Sequence, residues 1–153
     1  MQTRRRLLSL ALLAPFAAGI QRALPADRKV ANLAVSTDGD LLAYKPDHLT
    51  CPTGVTVHLT FRHGGKYISQ EHNWVLVVPG AAEAVEKAAL AAGENAGWVP
   101  RDDRRIVAAT AQCGKGHEVS VTFTAPAPGK YPFLCTNPGH GEVMHGILEV
   151  TPS

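Results

Sequence analysis

Three side chains able to grip a soft metal ion stand within ten residues of one another near the C-terminal end: the thiol of Cys135, the imidazole of His140 and the thioether of Met144. A second imidazole, His72, lies far upstream in the run Glu71-His72-Asn73-Trp74. Thiolate and thioether favour Cu(I), whereas imidazole suits both copper valences. Two His and one Cys in a trigonal plane, with a weak axial Met, are the donor set of a blue-copper site. Such a set satisfies neither valence fully, so it need not rearrange much when an electron arrives or leaves. Zinc is the main inorganic rival, but structural zinc takes four strong ligands and a thioether is a poor one.

These donors can meet only if the chain around them folds as strand, turn and strand. Tyr131 to Cys135 reads as the end of a strand, Pro138-Gly139 is a turn dipeptide, and His145 to Val150 begins the next strand. One tight loop then delivers Cys135, His140 and Met144, and the fourth donor must come from a neighbouring strand. His72, just ahead of the apolar run Trp74 to Val78, is placed to supply it.

The rest of the chain reads mostly as short strands. Residues 30–36, 41–45, 55–61, 72–78, 105–112, 118–124, 130–135 and 145–151 carry strand composition, with Asp38-Gly39 and Pro126 to Gly129 as turns. Residues 81–93, rich in Ala, Glu, Leu and Lys, predict the one helix, stopped by Gly93. Seven to eight short strands indicate an all-β fold, a Greek-key β-sandwich or barrel, with one inserted helix.

Residues 1–26 read as an export signal and not as part of the fold. Arg4, Arg5 and Arg6 form a basic n-region, Leu7 to Ile20 an apolar h-region, and Leu24-Pro25-Ala26 offers a cleavage point, with Gly19 as the rival. The arginines resemble a twin-arginine signal, and the apolar run is too short to span a bilayer. Removing this segment takes away four arginines and no acid, leaving eleven basic against thirteen acidic residues and a formal charge of −2 instead of +2. A nucleic-acid reading therefore loses its footing. Residues 27–153 suit a single domain, exported to the periplasm or beyond, with no stable membrane span. Three cysteines give no disulfide framework.

Cys-Thr-x-Pro-Gly-His-x-x-x-Met over residues 135–144, with Glu71-His72-Asn73-Trp74 and the strands around them, resembles the cupredoxins, and within them azurin and auracyanin. The resemblance covers nearly all of residues 27–153. It implies His72, Cys135 and His140 as equatorial ligands of one type 1 copper and Met144 as the axial ligand. It also implies an approach by the carbonyl before the first His, here Glu71, where azurins have Gly. Asn73 would tie its strand to the ligand loop, and Asn137, in place of the usual Phe, makes that loop more polar. Cys51 matches one partner of azurin's disulfide, but the N-terminal strand has no Cys to meet it, and a bridge to Cys113 is not expected. Alternation along a strand turns His145 away from Met144. His48, His58, His63 and His117 read as satisfied or exposed, although His63-Gly64-Gly65 could line the copper end.

The expected function is single-electron transfer between transient protein partners by a monomeric, non-enzymatic carrier, with His140 as the exposed exit. A copper chaperone or scavenger is the alternative, and so is an accessory protein supporting a copper enzyme. Exchange sites favour Met- or His-rich tracts, whereas this chain has two Met in all. A copper oxidase or nitrite reductase needs a further copper with extra His, which this chain does not supply.

Overall fold

A computed structural model describes residues 29–153; the signal segment expected over residues 1–26 lies outside them. Among the described residues, nine strands form two sheets. The first holds β1 (Val30–Thr37), β2 (Tyr44–Lys45), β4 (Thr56–Arg62) and β7 (Glu118–Thr124) in the order β2-β1-β4-β7. The second holds β3 (His48–Pro52), β5 (Val75–Val77), β6 (Ile106–Ala109), β8 (Gly129–Leu134) and β9 (His145–Thr151) in the order β3-β9-β8-β5-β6. β1 runs parallel to β4 and β3 parallel to β9, while the remaining pairs are antiparallel. This is the expected Greek-key β-sandwich, with one strand beyond the eight read from the sequence. The addition is β3, where Leu49 and Cys51 point inward between exposed neighbours.

Between the sheets lies one core. Alternation on β4 sends Val57, Leu59 and Phe61 inward, all fully buried, and Trp74, Phe133 and Leu148 meet them from the opposite sheet. Each such side chain contributes about 1.5–3 kcal/mol by leaving water. Tyr44 stands edge-on to Phe61 and Phe133, at ring centroid distances of 5.7 and 5.3 Å. Its hydroxyl donates to the carbonyl of Asn73, tying β2 to the segment that carries His72.

β5 is buried on both faces, which explains its unbroken apolar run. Its outer face, with Leu134, packs beneath helix α1 (Ala82–Ala92) through Ala81 and Val85. The helix ends at Gly93, whose positive φ of 76° lets its N–H reach the carbonyl of Ala89. α1 therefore roofs the strand that leads into Cys135. No helix among the described residues is long and apolar enough to cross a membrane.

Candidate metal centre

β8 ends at Leu134, and the chain then folds back on itself before β9 begins. The N–H of Cys135 donates to the carbonyl of Met144 at 3.0 Å, and the N–H of Met144 to the carbonyl of His140 at 2.7 Å. Gly139, at φ 76°, makes the reversal that Pro138-Gly139 announces. His72 enters from the neighbouring segment, just before β5, through a two-residue bridge with Cys113. There His72 N–H donates to the Cys113 carbonyl (3.2 Å) and Cys113 N–H to that of His72 (2.7 Å).

Three donor atoms converge. His72 Nδ1 and His140 Nδ1 lie 3.2 Å apart, and Cys135 Sγ lies 3.5 Å from His140 Nδ1 and 3.8 Å from His72 Nδ1. The point equidistant from all three is about 2.0 Å from each, the length of a metal–imidazole bond and a little under a metal–thiolate bond. All three residues are buried, and they are the only His, Cys, Asp and Glu grouping of metal-binding geometry among the described residues.

The electrostatics fit a cation. Burial, with His140 and His63 nearby, pushes the pKa of His72 down to about 4, and burial lowers that of His140. Both rings are therefore held neutral with lone pairs to offer. Burial pushes the Cys135 thiol up to about 11, while the backbone N–H groups of Asn73 and Asn137 oppose that rise by donating to its sulfur. The sulfur thus sits in a site that disfavours a bare thiolate yet is ready to support one beside a positive ion.

Around the donors runs a hydrogen-bonded frame. Asn73 spans the gap between its own segment and the loop: Oδ1 accepts from Thr136 N–H at 2.9 Å and Nδ2 donates to Thr136 Oγ1 at 2.8 Å. Thr136 Oγ1 in turn donates to the carbonyl of Trp98 at 2.6 Å. Trp98 holds an unusual φ of 56° to present that carbonyl. Asn137 Nδ2 donates to the Glu71 carbonyl at 2.7 Å.

Met144 is wholly buried at the base of the loop, and His145 is exposed, with Nδ1–H donating to Gly141. Cys51 and Cys113 are free thiols, both buried. His140, expected to be exposed, is only 4% accessible, against 2% for His72, because the turn wraps the ring. Pro138 and Gly139 are exposed beside it.

His63 is a satisfied histidine, one of the two readings its sequence allowed, and it lines the donor site as Gly64-Gly65 suggested. It is 2% exposed, and its ring lies 5.0 Å from that of His72. Nε2–H donates to the Gln70 carbonyl at 2.9 Å and Nδ1 accepts from Gly65 N–H at 3.1 Å, which fixes the tautomer. The signal was the pair Gly64-Gly65: a Cβ on Gly65 would sit 2.7 Å from both His63 Cε1 and Asp40 Oδ1. Gln112, which donates to Asn137 Oδ1 at 2.6 Å, carried no such signal.

Comparison with known proteins agrees with this geometry. Residues 30–151 match the plastocyanin/azurin family of copper binding proteins. The chain is 39% identical to auracyanin-A of Chloroflexus aurantiacus over 120 residues, covering 77% of this chain and 73% of that one. It is 40% identical to the azurin of Bordetella pertussis over 82 residues, 52% of this chain and 55% of the relative. The solved structure of auracyanin A, a blue copper protein, superimposes with a TM-score of 0.74 at 38% identity, over 80% of this chain and 99% of that chain.

Proposed function

We propose, from the premise that this chain belongs to the plastocyanin/azurin family of copper-binding proteins, that it is an exported carrier of single electrons between redox proteins. It is not an enzyme, in keeping with its auracyanin and azurin relatives. The observation that carries the reading is the triangle of His72 Nδ1, His140 Nδ1 and Cys135 Sγ, with sides of 3.2, 3.5 and 3.8 Å. One type 1 copper held there would supply a one-electron Cu(II)/Cu(I) couple.

In this reading the chain's residues divide the work. His72 and His140 offer neutral imidazole nitrogen. Cys135 gives up its proton to serve as thiolate, supported by the N–H groups of Asn73 and Asn137. Met144 is the axial thioether; its complete burial and its backbone bonds to Cys135 and His140 support that role. The Glu71 carbonyl would be a further weak neighbour of the metal. Asn73 holds the two ligand segments in register through Thr136. The partners dock transiently near Pro138 and Gly139, where the loop over His140 is open to solvent, and the carrier works as a monomer. Residues 1–26 direct export to the periplasm and residues 27–153 form the working domain.

Replacing Cys135 by Ser tests the ligand assignment. The wild type should take up one Cu(II), hold it against a competing chelator and cycle reversibly in a redox titration; Cys135→Ser should lose the colour. Ready loss of copper to the chelator, or irreversible reduction, would favour a chaperone or scavenger.

A further inference from the structure

Strand β6 is the last strand of its sheet: it pairs with β5 and with no other strand among the described residues. Just past its end, Thr110 N–H donates to the Trp74 carbonyl at 2.9 Å. Backbone groups along a strand point alternately to its two sides, so the N–H and C=O of Ala109 turn away from β5. Beside β6 runs a groove of about 710 Å³, walled on its other side by the segment that leads from helix α1 back to β6. Ala109, Thr110, Ala111 and Gln112 line it in succession. A sheet face would contribute every second residue, so the groove meets the edge of the chain. Two polar features of its wall lack partners among the described residues. Arg101 is exposed and in no ion pair, and Gln112 Oε1 is buried with no donor. Asp103 also lines the groove, but Arg105 holds its carboxylate through bonds of 2.9 and 2.6 Å.

We propose that this groove docks an extended, acidic segment of a partner protein, which adds to β6 as a further strand. An open strand edge presents a donor and an acceptor side by side, and another extended backbone matches both. The uncompensated charge in the groove is the Arg101 cation, so a carboxylate on the incoming segment complements it. The small side chains of Ala109 and Ala111 leave room for that segment's own side chains. The same walls brace the ligand loop. The Gly97 carbonyl accepts from Asn73 Nδ2 at 3.2 Å and from Gln112 Nε2 at 2.8 Å, and the Trp98 carbonyl accepts from Thr136 Oγ1 at 2.6 Å. A segment seated in the groove would therefore hold its protein beside the loop over His140. That consequence rests on the carrier reading above, whereas the binding itself does not.

The probe is a short fluorescent peptide of alternating Val and Thr that carries one Asp, compared by anisotropy with the same peptide carrying Lys instead. Wild type, copper-free and copper-loaded, should bind the Asp peptide saturably and about tenfold more tightly than the Lys peptide. Arg101→Glu should reverse that preference. Ala109→Pro should weaken both peptides about tenfold, because proline removes the outward N–H; an edge position whose N–H faces solvent tolerates it. In wild type, exchange of the Ala109 amide hydrogen should slow when the Asp peptide is added, a readout that needs no variant. No saturable binding, equal binding of the two peptides, a preference untouched by Arg101→Glu, or an Ala109 amide that exchanges as before would each overturn the proposal. A dimer in sedimentation that Arg101→Glu abolishes would place a second copy in the groove and overturn it too. Wild type that binds the Asp peptide but takes up Cu(II) without a thiolate band would uphold the groove while overturning the carrier reading.

Discussion

At Met144 the question is whether the buried thioether serves the metal proposed for this site. A sulfur of that softness favours Cu(I), yet as the weak donor proposed above it would also lend some density to Cu(II). Met144→Leu removes the donor while leaving the fully buried apolar volume nearly unchanged. The variant should keep its thiolate band and show a raised reduction potential; an unchanged potential would remove Met144 from the ligand set. His72 supports a prediction about the copper-free protein. Its pKa is held down to about 4 by burial, with His140 and His63 adding to the effect, whereas an unfolded His titrates near 6.5. The unfolded chain therefore binds the proton first. The stability contributed by neutral His72 is fully present above about pH 6.5 and is lost as the pH falls toward 4, by on the order of 3 kcal/mol. Urea denaturation of the copper-free protein at pH 7.5, 5.5 and 4 measures the fall, and a flat profile would show that His72 is not desolvated.

Among the elements, the loop after β4 does a job that its composition conceals. The backbone N–H groups of Lys66, Tyr67 and Ile68 all donate to Asp40 Oδ1, between 2.9 and 3.1 Å, and this folds residues 64–68 over His63. The three amides hold the Asp40 carboxyl below its usual range. Gly65→Ala would push a methyl into His63 and Asp40, at 2.7 Å from an atom of each. Overpacking of this kind costs about 1–3 kcal/mol, so thermal unfolding should come several degrees earlier, with the His72 ring disturbed through His63. Wild-type stability in Gly65→Ala would mean the loop yields freely. The strands themselves were mostly legible because period-two burial shows directly in sequences such as Val57, Leu59 and Phe61. β3 was not, because it is short, follows a proline and finds its partner in β9, nearly a hundred residues away. β5 was overextended, since an apolar run gives no boundary when both faces are buried.

For the molecule as a whole, the donors come from two distant stretches of chain that the sandwich brings within 4 Å of each other. The donor types and the loop were readable in the sequence because they are local. The convergence with His72 followed from the order of strands and from the family resemblance. The side-chain frame of Asn73, Thr136, Gln112 and Asn137 was only partly readable, since it depends on which loops meet at one end of the sandwich. If the site is preformed, copper should raise the unfolding temperature by mass action while leaving the far-ultraviolet circular dichroism unchanged; a large spectral change on loading would show that the metal builds the site. The most direct measurement is the visible and EPR spectrum of purified protein after one equivalent of Cu(II). The account predicts an intense thiolate-to-copper band with narrow parallel hyperfine splitting. A colourless product, or ordinary tetragonal copper signals, would contradict it.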